Sequence, residues 1–288
     1  MKIVTDSAAD VPVDEAAALN ITVAPLIIQF PEREVNASDI SADDFYNKLE
    51  AMRPAIPTTA QPSPAVFTDI YRNLAQQGDA DILSIHVSSG LSGTLNSARL
   101  GAEAAAPDAR VTMWDSMTLS GGERFQVLAA AYGAKAGWSL EQIQKRMAEI
   151  RDKNEIIYTL ETLEYLARGG RIGRVQAAAG ALFGIKPIIR VDHADGKYSN
   201  VGRNRTVGGA LTFITDHMRT MYGDTPLWIT VLHGRWADKA DMLQQQLSGK
   251  LNVAKMEMMR ISPVLGVHTG PGIVGLAAVP MNLMSDLM

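Results

Sequence analysis

Short apolar, β-rich runs alternate with helix-forming stretches through the first half of the chain, and this alternation constrains the fold more than any other feature. Residues 2–5, 82–87 and 110–114 read as strands, and 21–30 as a longer apolar run. Helix starts fall between them, at Pro12 with Asp14 and Glu15, at Ser41 with Asp44 in the capping-box position, at Ser63-Pro64, at Thr94, at Gly122 and at Ser139. Such alternation predicts a mostly parallel sheet with helices on both faces. Beyond about Asn154 the pattern changes. Strands are expected at 156–160, 227–232, 256–261 and 273–279, and helices at 163–168, 175–183, 207–222 and 237–247. Asp195-Gly196 between 188–191 and 197–203 is a two-residue hairpin signal, so the second sheet is expected to be mixed. The expectation is an α/β chain of two domains, an N-terminal one over 1–154 and a C-terminal one over 155–288.

Composition narrows the function. The 27 Lys and Arg against 31 Asp and Glu give a net charge of −4, which argues against a nucleic-acid binder. Apolar residues make up 47% but aromatics only 6%, so the excess is aliphatic and small, and serves either an ordinary core or an apolar ligand pocket. The absence of cysteine excludes disulfides, thiolate metal sites and cysteine nucleophiles. No metal-ligand spacing, phosphate loop or dinucleotide fingerprint is present. The start of the chain has no signal-peptide core, and no run of ~18 uncharged apolar residues exists, so a soluble cytoplasmic protein is expected.

Three Ser/Thr/Gly-rich turns carry the candidate chemistry: 57–63 before a helix, 88–94 between a strand and a helix, and 266–272 before the last strand. At the second, amides at a helix N-terminus and the helix dipole favour an anion, Gly90 and Gly93 permit close approach, and Ser89, Ser92 and Thr94 add hydroxyls. The competing reading is helix capping alone. Ser92 followed later by His268 also suits a serine hydrolase, although Thr94 stands where a nucleophile elbow requires Gly. Four histidines read as packed or surface residues, and His268 stands apart among flexible Gly and Pro. Arg168, Arg171 and Arg174, with Lys186, Arg190, Arg203 and Arg205, form a local basic group suited to a phosphate or an acidic partner, or to solvated surface.

Six motifs in order along the chain resemble the DegV family of bacterial fatty-acid-binding proteins: the opening from Ile3 to Asp10, the loop from Thr58 to Ser63, the turn from Ser89 to Thr94, the segment from Leu163 to Ile172, Lys186-Pro187-Ile188, and the stretch from His268 to Gly272. The resemblance implies a two-domain carrier without cofactor or catalytic residue. One long-chain fatty acid would lie in a tunnel, its carboxylate bound by Thr59 and Ser92 with His268 completing the network and Ser89 and Gly93 beside it. It implies a partner, an ATP-dependent fatty acid kinase subunit that phosphorylates the carboxylate for phospholipid synthesis, and a transient contact with a membrane surface. Arg168, Arg171, Arg203 and Arg205 would face the kinase, the acyl phosphate or the membrane. The family's first loop often carries Ser where this chain has Ala60, which removes one hydroxyl. The segment 177–184, with Ile27, Ile28 and Leu119, would line the tunnel or serve as core. A serine hydrolase using Ser92 and His268 is the alternative, and a regulatory lipid sensor a third reading.

Overall fold

The computed structural model describes residues 1–78, 81–175 and 184–287. The chain opens on β1 (Lys2–Asp6), α1 (Val13–Ala18), β2 (Ile21–Ala24), β3 (Ile27–Gln29), β4 (Glu34–Asn36), α2 (Ala42–Ala51), β5 (Thr58–Ala60) and α3 (Pro64–Gln76). It continues with β6 (Asp81–His86), α4 (Thr94–Ala105), β7 (Arg110–Asp115), α5 (Ser120–Lys135) and α6 (Leu140–Lys153). Then follow β8 (Glu155–Leu160), α7 (Glu164–Arg168), β9 (Lys186–Val191), β10 (Tyr198–Asn204) and α8 (Val207–Tyr222). β11 (Leu227–His233), α9 (Ala237–Lys250), β12 (Val253–Arg260), α10 (Pro263–Thr269) and β13 (Ile273–Pro280) close the chain.

The first sheet is parallel throughout, in the order β2-β1-β6-β7. From β1 the chain moves to β2 on one side, while β6 pairs on the other. The loops leaving the carboxyl ends of β1 and β6 therefore diverge, the position at which open parallel sheets offer a crevice. The second sheet, β10-β9-β8-β13-β11-β12, is mixed, with β11 and β12 its parallel pair. Residue 154, the expected boundary, falls where the chain passes from α6 to the second sheet.

Helix α5 lies between the sheets and is buried on nearly every face from Ser120 to Ala131. Gly121 makes this approach possible, since a Cβ there would come within 2.6 Å of Ala277 on β13. Phe125 packs edge-on against Trp228 across the same layer. Arg124 ties α5 to both neighbours, donating to Glu15 (2.7 and 2.8 Å) and to Glu257.

Sequence signals at helix starts translate into bonds. The Ser41, Ser63 and Ser139 hydroxyls accept from the amides of Asp44, Val66 and Gln142, and Gln142 returns a bond to complete a capping box. Four expectations are corrected. The run 21–30 is two strands in different sheets, because Pro25 ends β2 and β3 turns into a separate antiparallel sheet, β4-β3-β5. Thr58–Ala60, expected as loop, is an edge strand of that sheet. The β9–β10 hairpin closes through Asp192 N–H to the Lys197 carbonyl (2.8 Å), leaving a four-residue turn rather than two. Of the expected turn 266–272, residues 266–269 are instead the end of helix α10, and Gly266 sits inside it because Phe45 and Tyr46 pack where its side chain would be. The expected helix at 175–183 lies, apart from Val175, outside the described residues.

Candidate functional site

Five segments meet where the β1 and β6 loops diverge. The 3-10 turn after β1 brings Ala8, the loop after β6 brings Val87, Leu91 and Ser92, and β5 brings Thr59. Helix α10 brings Val264, Leu265 and His268, and the segment after α7 brings Arg171. Together with Leu26, Leu119 and Tyr198 they line a half-enclosed cavity. The small antiparallel sheet explains how Thr59 arrives there: Ile28 pairs with Thr59 and packs with Phe45, Tyr46 and Val264 in one apolar cluster, so β5 and α10 are fixed to the same core.

Thr59 Oγ1 and His268 Nε2 are 2.8 Å apart. Ser92 Oγ lies 2.8 Å from Thr94 Oγ1 and accepts the Thr94 amide at 3.3 Å. Either hydroxyl of this pair can donate, and with the fully buried Thr94 donating, the Ser92 proton is free for the cavity. Helix α4 has no side-chain cap on its Gly93 N-cap. Burial, reinforced by the positive charge of Arg171, lowers the His268 pKa from 6.5 to about 4. The ring is neutral at pH 7 and carries one N–H. With that proton on Nε2, the imidazole donates to Thr59, and the Thr59 hydroxyl in turn donates into the cavity. Gly169 is required by this ring, since a Cβ at 169 would lie 2.3 Å from His268 Nδ1. Arg171, held by a 2.8 Å bond to the Gly169 carbonyl, adds a permanent cation to the lining. Two hydroxyl donors and a guanidinium in a half-enclosed space suit a carboxylate.

A second cavity adjoins the first. Leu119, Tyr198 and Leu265 line both. Beyond them the wall is Ile156, Leu232, Ile261, Ile273 and Leu276 with Ser120, Tyr158 and Thr269, from β8, β11, β13, the start of α5, α10 and the turn before it. A cavity carrying polar groups beside a mostly aliphatic one suits an amphiphile with an apolar tail.

Thr59, Ser92 and His268 thus come together from segments far apart in sequence. Ser89 and Gly93 are exposed and outside the lining, and the Ser89 amide faces the Asp115 carboxylate at 3.3 Å. Arg168 is exposed and pairs with Glu164 at 3.1 Å, while Arg203 and Arg205 are exposed at the end of β10. Arg171 alone of the four lines the cavity. Ala60 follows Thr59 on a strand, so its side chain points to the opposite face and a hydroxyl there would not reach the chamber. Leu119 lines both cavities, Ile28 is core of the small sheet, and Ile27 lies on neither wall. The segment 177–184 lies, apart from Gly184, outside the described residues. Tyr198, Val264 and Leu265 carried no signal in the sequence.

The hydrolase geometry is not formed. Ser92 and His268 bond to other partners, and His268 Nδ1 is buried without one, so no carboxylate orients the ring as a base. A Ser-His-Asp chain does exist elsewhere. Ser84 Oγ and His86 Nε2 are 2.7 Å apart, and His86 Nδ1 and Asp6 3.0 Å, but all three are fully buried and the hydroxyl is also bonded to Tyr71, which makes it part of the core. Among the described residues, no group of three or more His, Asp or Glu side chains is placed to hold a metal ion, and no helix is long and apolar enough to cross a membrane.

Comparison with known proteins adds to this geometry. Residues 1–281 match the family model described as an uncharacterised protein of the DegV family. A DegV domain-containing protein of Deinococcus radiodurans is 39% identical over 262 residues, 91% of this chain and 90% of that protein. Among solved structures, a DegV family protein from Thermus thermophilus described for its fatty acid binding superposes with a TM-score of 0.90 at 32% identity, covering 97% of this chain and 99% of that one. A stearic acid-binding protein from Eubacterium ventriosum superposes with a TM-score of 0.87 at 26% identity, covering 97% and 98%.

Proposed function

The chain belongs to the DegV family, and on that premise we propose that it is a carrier binding one long-chain fatty acid, with the carboxylate held by Thr59 and Ser92 and the tail in the apolar cavity. The observation that carries this reading is a pair of neighbouring cavities with Leu119, Tyr198 and Leu265 in common, one carrying the Thr59 and Ser92 hydroxyls, His268 and Arg171 among apolar side chains, the other mostly aliphatic. His268 acts through Thr59 by fixing the direction of its hydroxyl. Arg171 balances the carboxylate charge. The tail supplies most of the affinity, at ~0.8 kcal/mol per buried CH₂.

In the same reading the bound acid is the substrate of a separate ATP-dependent kinase. A carboxylate oxygen attacks the γ-phosphorus of ATP, ADP leaves, and the acyl phosphate passes to phospholipid synthesis. Arg171 beside the carboxylate suits the added charge of that product, and Arg168, Arg203 and Arg205 are candidates for the kinase or membrane contact. Organic extraction and mass spectrometry of protein purified from a heterologous host test the reading. About one long-chain fatty acid per chain is expected. No acyl chain, together with no binding of added fatty acid, would overturn it, and ester turnover lost in Ser92→Ala would favour a hydrolase instead.

A further inference from the structure

We propose that Asp10 is a positioning residue for the lipid site, a tie that sets α10, and with it His268, against the loop that follows β1. Asp10 ends the 3-10 turn carrying Ala8 into the polar chamber, and is held in the left-handed region at φ 53°. One carboxylate oxygen accepts the Ser262 amide at 2.8 Å, and Ser262 is the N-cap of α10. The other accepts the Ser120 hydroxyl, and Ser120, left-handed at φ 51°, begins α5 and lines the apolar chamber. A single side chain thus joins three segments that each contribute to the cavity walls.

The arrangement is demanding. Two non-glycine residues in the left-handed region persist only where the surroundings over-determine them. Burial also pushes the Asp10 pKa up to about 6, against the bonds from Ser120 and Ser262 and the charge of Arg124. The other titratable groups facing it give no relief, since Glu123 on α5 is itself driven well above the carboxylate range and the Tyr46 hydroxyl on α2 is driven up by burial. What the carboxylate supplies is a pair of acceptors at one fixed reach.

The inference rests on the lipid reading, and the test separates the two. Fatty-acid affinity, thermal stability and the His268 imidazole NMR signals are measured for the wild type and for Asp10→Asn, Asp10→Glu, Asp10→Ala and Ser120→Ala, with palmitate as the probe. Positioning predicts that reach matters more than charge. Asp10→Glu and Asp10→Ala lose about tenfold in affinity and shift the His268 signals, whereas Asp10→Asn, isosteric, still accepts the Ser262 amide and donates its NH2 to the Ser120 hydroxyl oxygen, so both arms persist and affinity and signals stay near wild type. Should Asp10→Glu and Asp10→Ala fail to fold, Ser120→Ala, which removes one arm of the tie, must shift the His268 signals. Folded variants with wild-type affinity and unmoved His268 signals overturn the proposal, as does an Asp10→Asn that loses as much as Asp10→Glu. A wild type that binds no fatty acid overturns the lipid reading instead.

Discussion

Replacing Ser92 by alanine isolates the headgroup contribution. Ser92 Oγ receives the Thr94 amide and pairs with the Thr94 hydroxyl, and with Thr94 donating in that pair the Ser92 proton is the group offered to the cavity. A hydrogen bond to a charged acceptor contributes roughly 1.5–3 kcal/mol, so Ser92→Ala should weaken binding of a long-chain fatty acid by about 10- to 150-fold. The fold bears a separate cost, because the buried Thr94 hydroxyl loses its partner, at roughly 1 kcal/mol. Titration calorimetry on folded protein, beside thermal denaturation, keeps the two apart. The methyl ester of the same acid supplies the control. It presents no charge, so its loss should fall to the neutral range of roughly 0.5–1.5 kcal/mol. Equal losses for acid and ester, or no loss for either, would refute the argument that Ser92 binds a carboxylate.

Three further outcomes follow from the geometry. Gly169→Ala places a Cβ 2.3 Å from His268 Nδ1, so the ring moves off Thr59, and fatty-acid affinity should fall by roughly 1–3 kcal/mol in calorimetry. Leu276→Phe shortens the apolar chamber, and competition between acids of different length should shift toward shorter chains at ~0.8 kcal/mol per excluded CH₂. The pH dependence of stability has two opposing contributions. His268 is a base lowered from 6.5 to about 4, so its share of stability is present above pH 6.5 and lost on acidification toward pH 4. Asp10 is an acid raised from 3.8 to about 6, so its share is present below pH 3.8 and lost as pH rises through 6. Each is on the order of 3 kcal/mol and they offset. Relative to the wild type, urea denaturation between pH 4 and 6.5 should show stability rising more steeply with pH in Asp10→Asn and falling with pH in His268→Gln. Identical slopes in all three proteins would contradict both assignments.

The layered α/β architecture was legible because period and capping are local. Ser41, Ser63 and Ser139 announce their helices within four residues, and the strand–helix alternation implies a parallel sheet. The small antiparallel sheet was hidden because its strands are only three residues long and are held by pairing across the chain rather than by propensity. Residues 266–269 read as part of a turn because of Gly266 and Gly270. Gly266 is there to let Phe45 and Tyr46 approach, and no local pattern separates that from a loop glycine. At the site, Thr59, Ser92 and His268 stood out through their polar turns. Arg171 also stood out, but only as one of a basic group suited to a phosphate, an acidic partner or solvated surface, because the fold of the segment after α7 decides whether it faces solvent or cavity. The aliphatic wall had no signature, since Ile156 and Leu276 look like any sheet core until the space beside them is seen.

The most direct measurement of the central claim is a crystal structure of the protein with a long-chain fatty acid. The account predicts the carboxylate within hydrogen-bond distance of the Thr59 and Ser92 hydroxyls, with the carbon chain passing Leu119 and Tyr198 to end against Ile156 and Leu276. A fatty acid bound elsewhere, or one with its carboxylate at the aliphatic end, would contradict it.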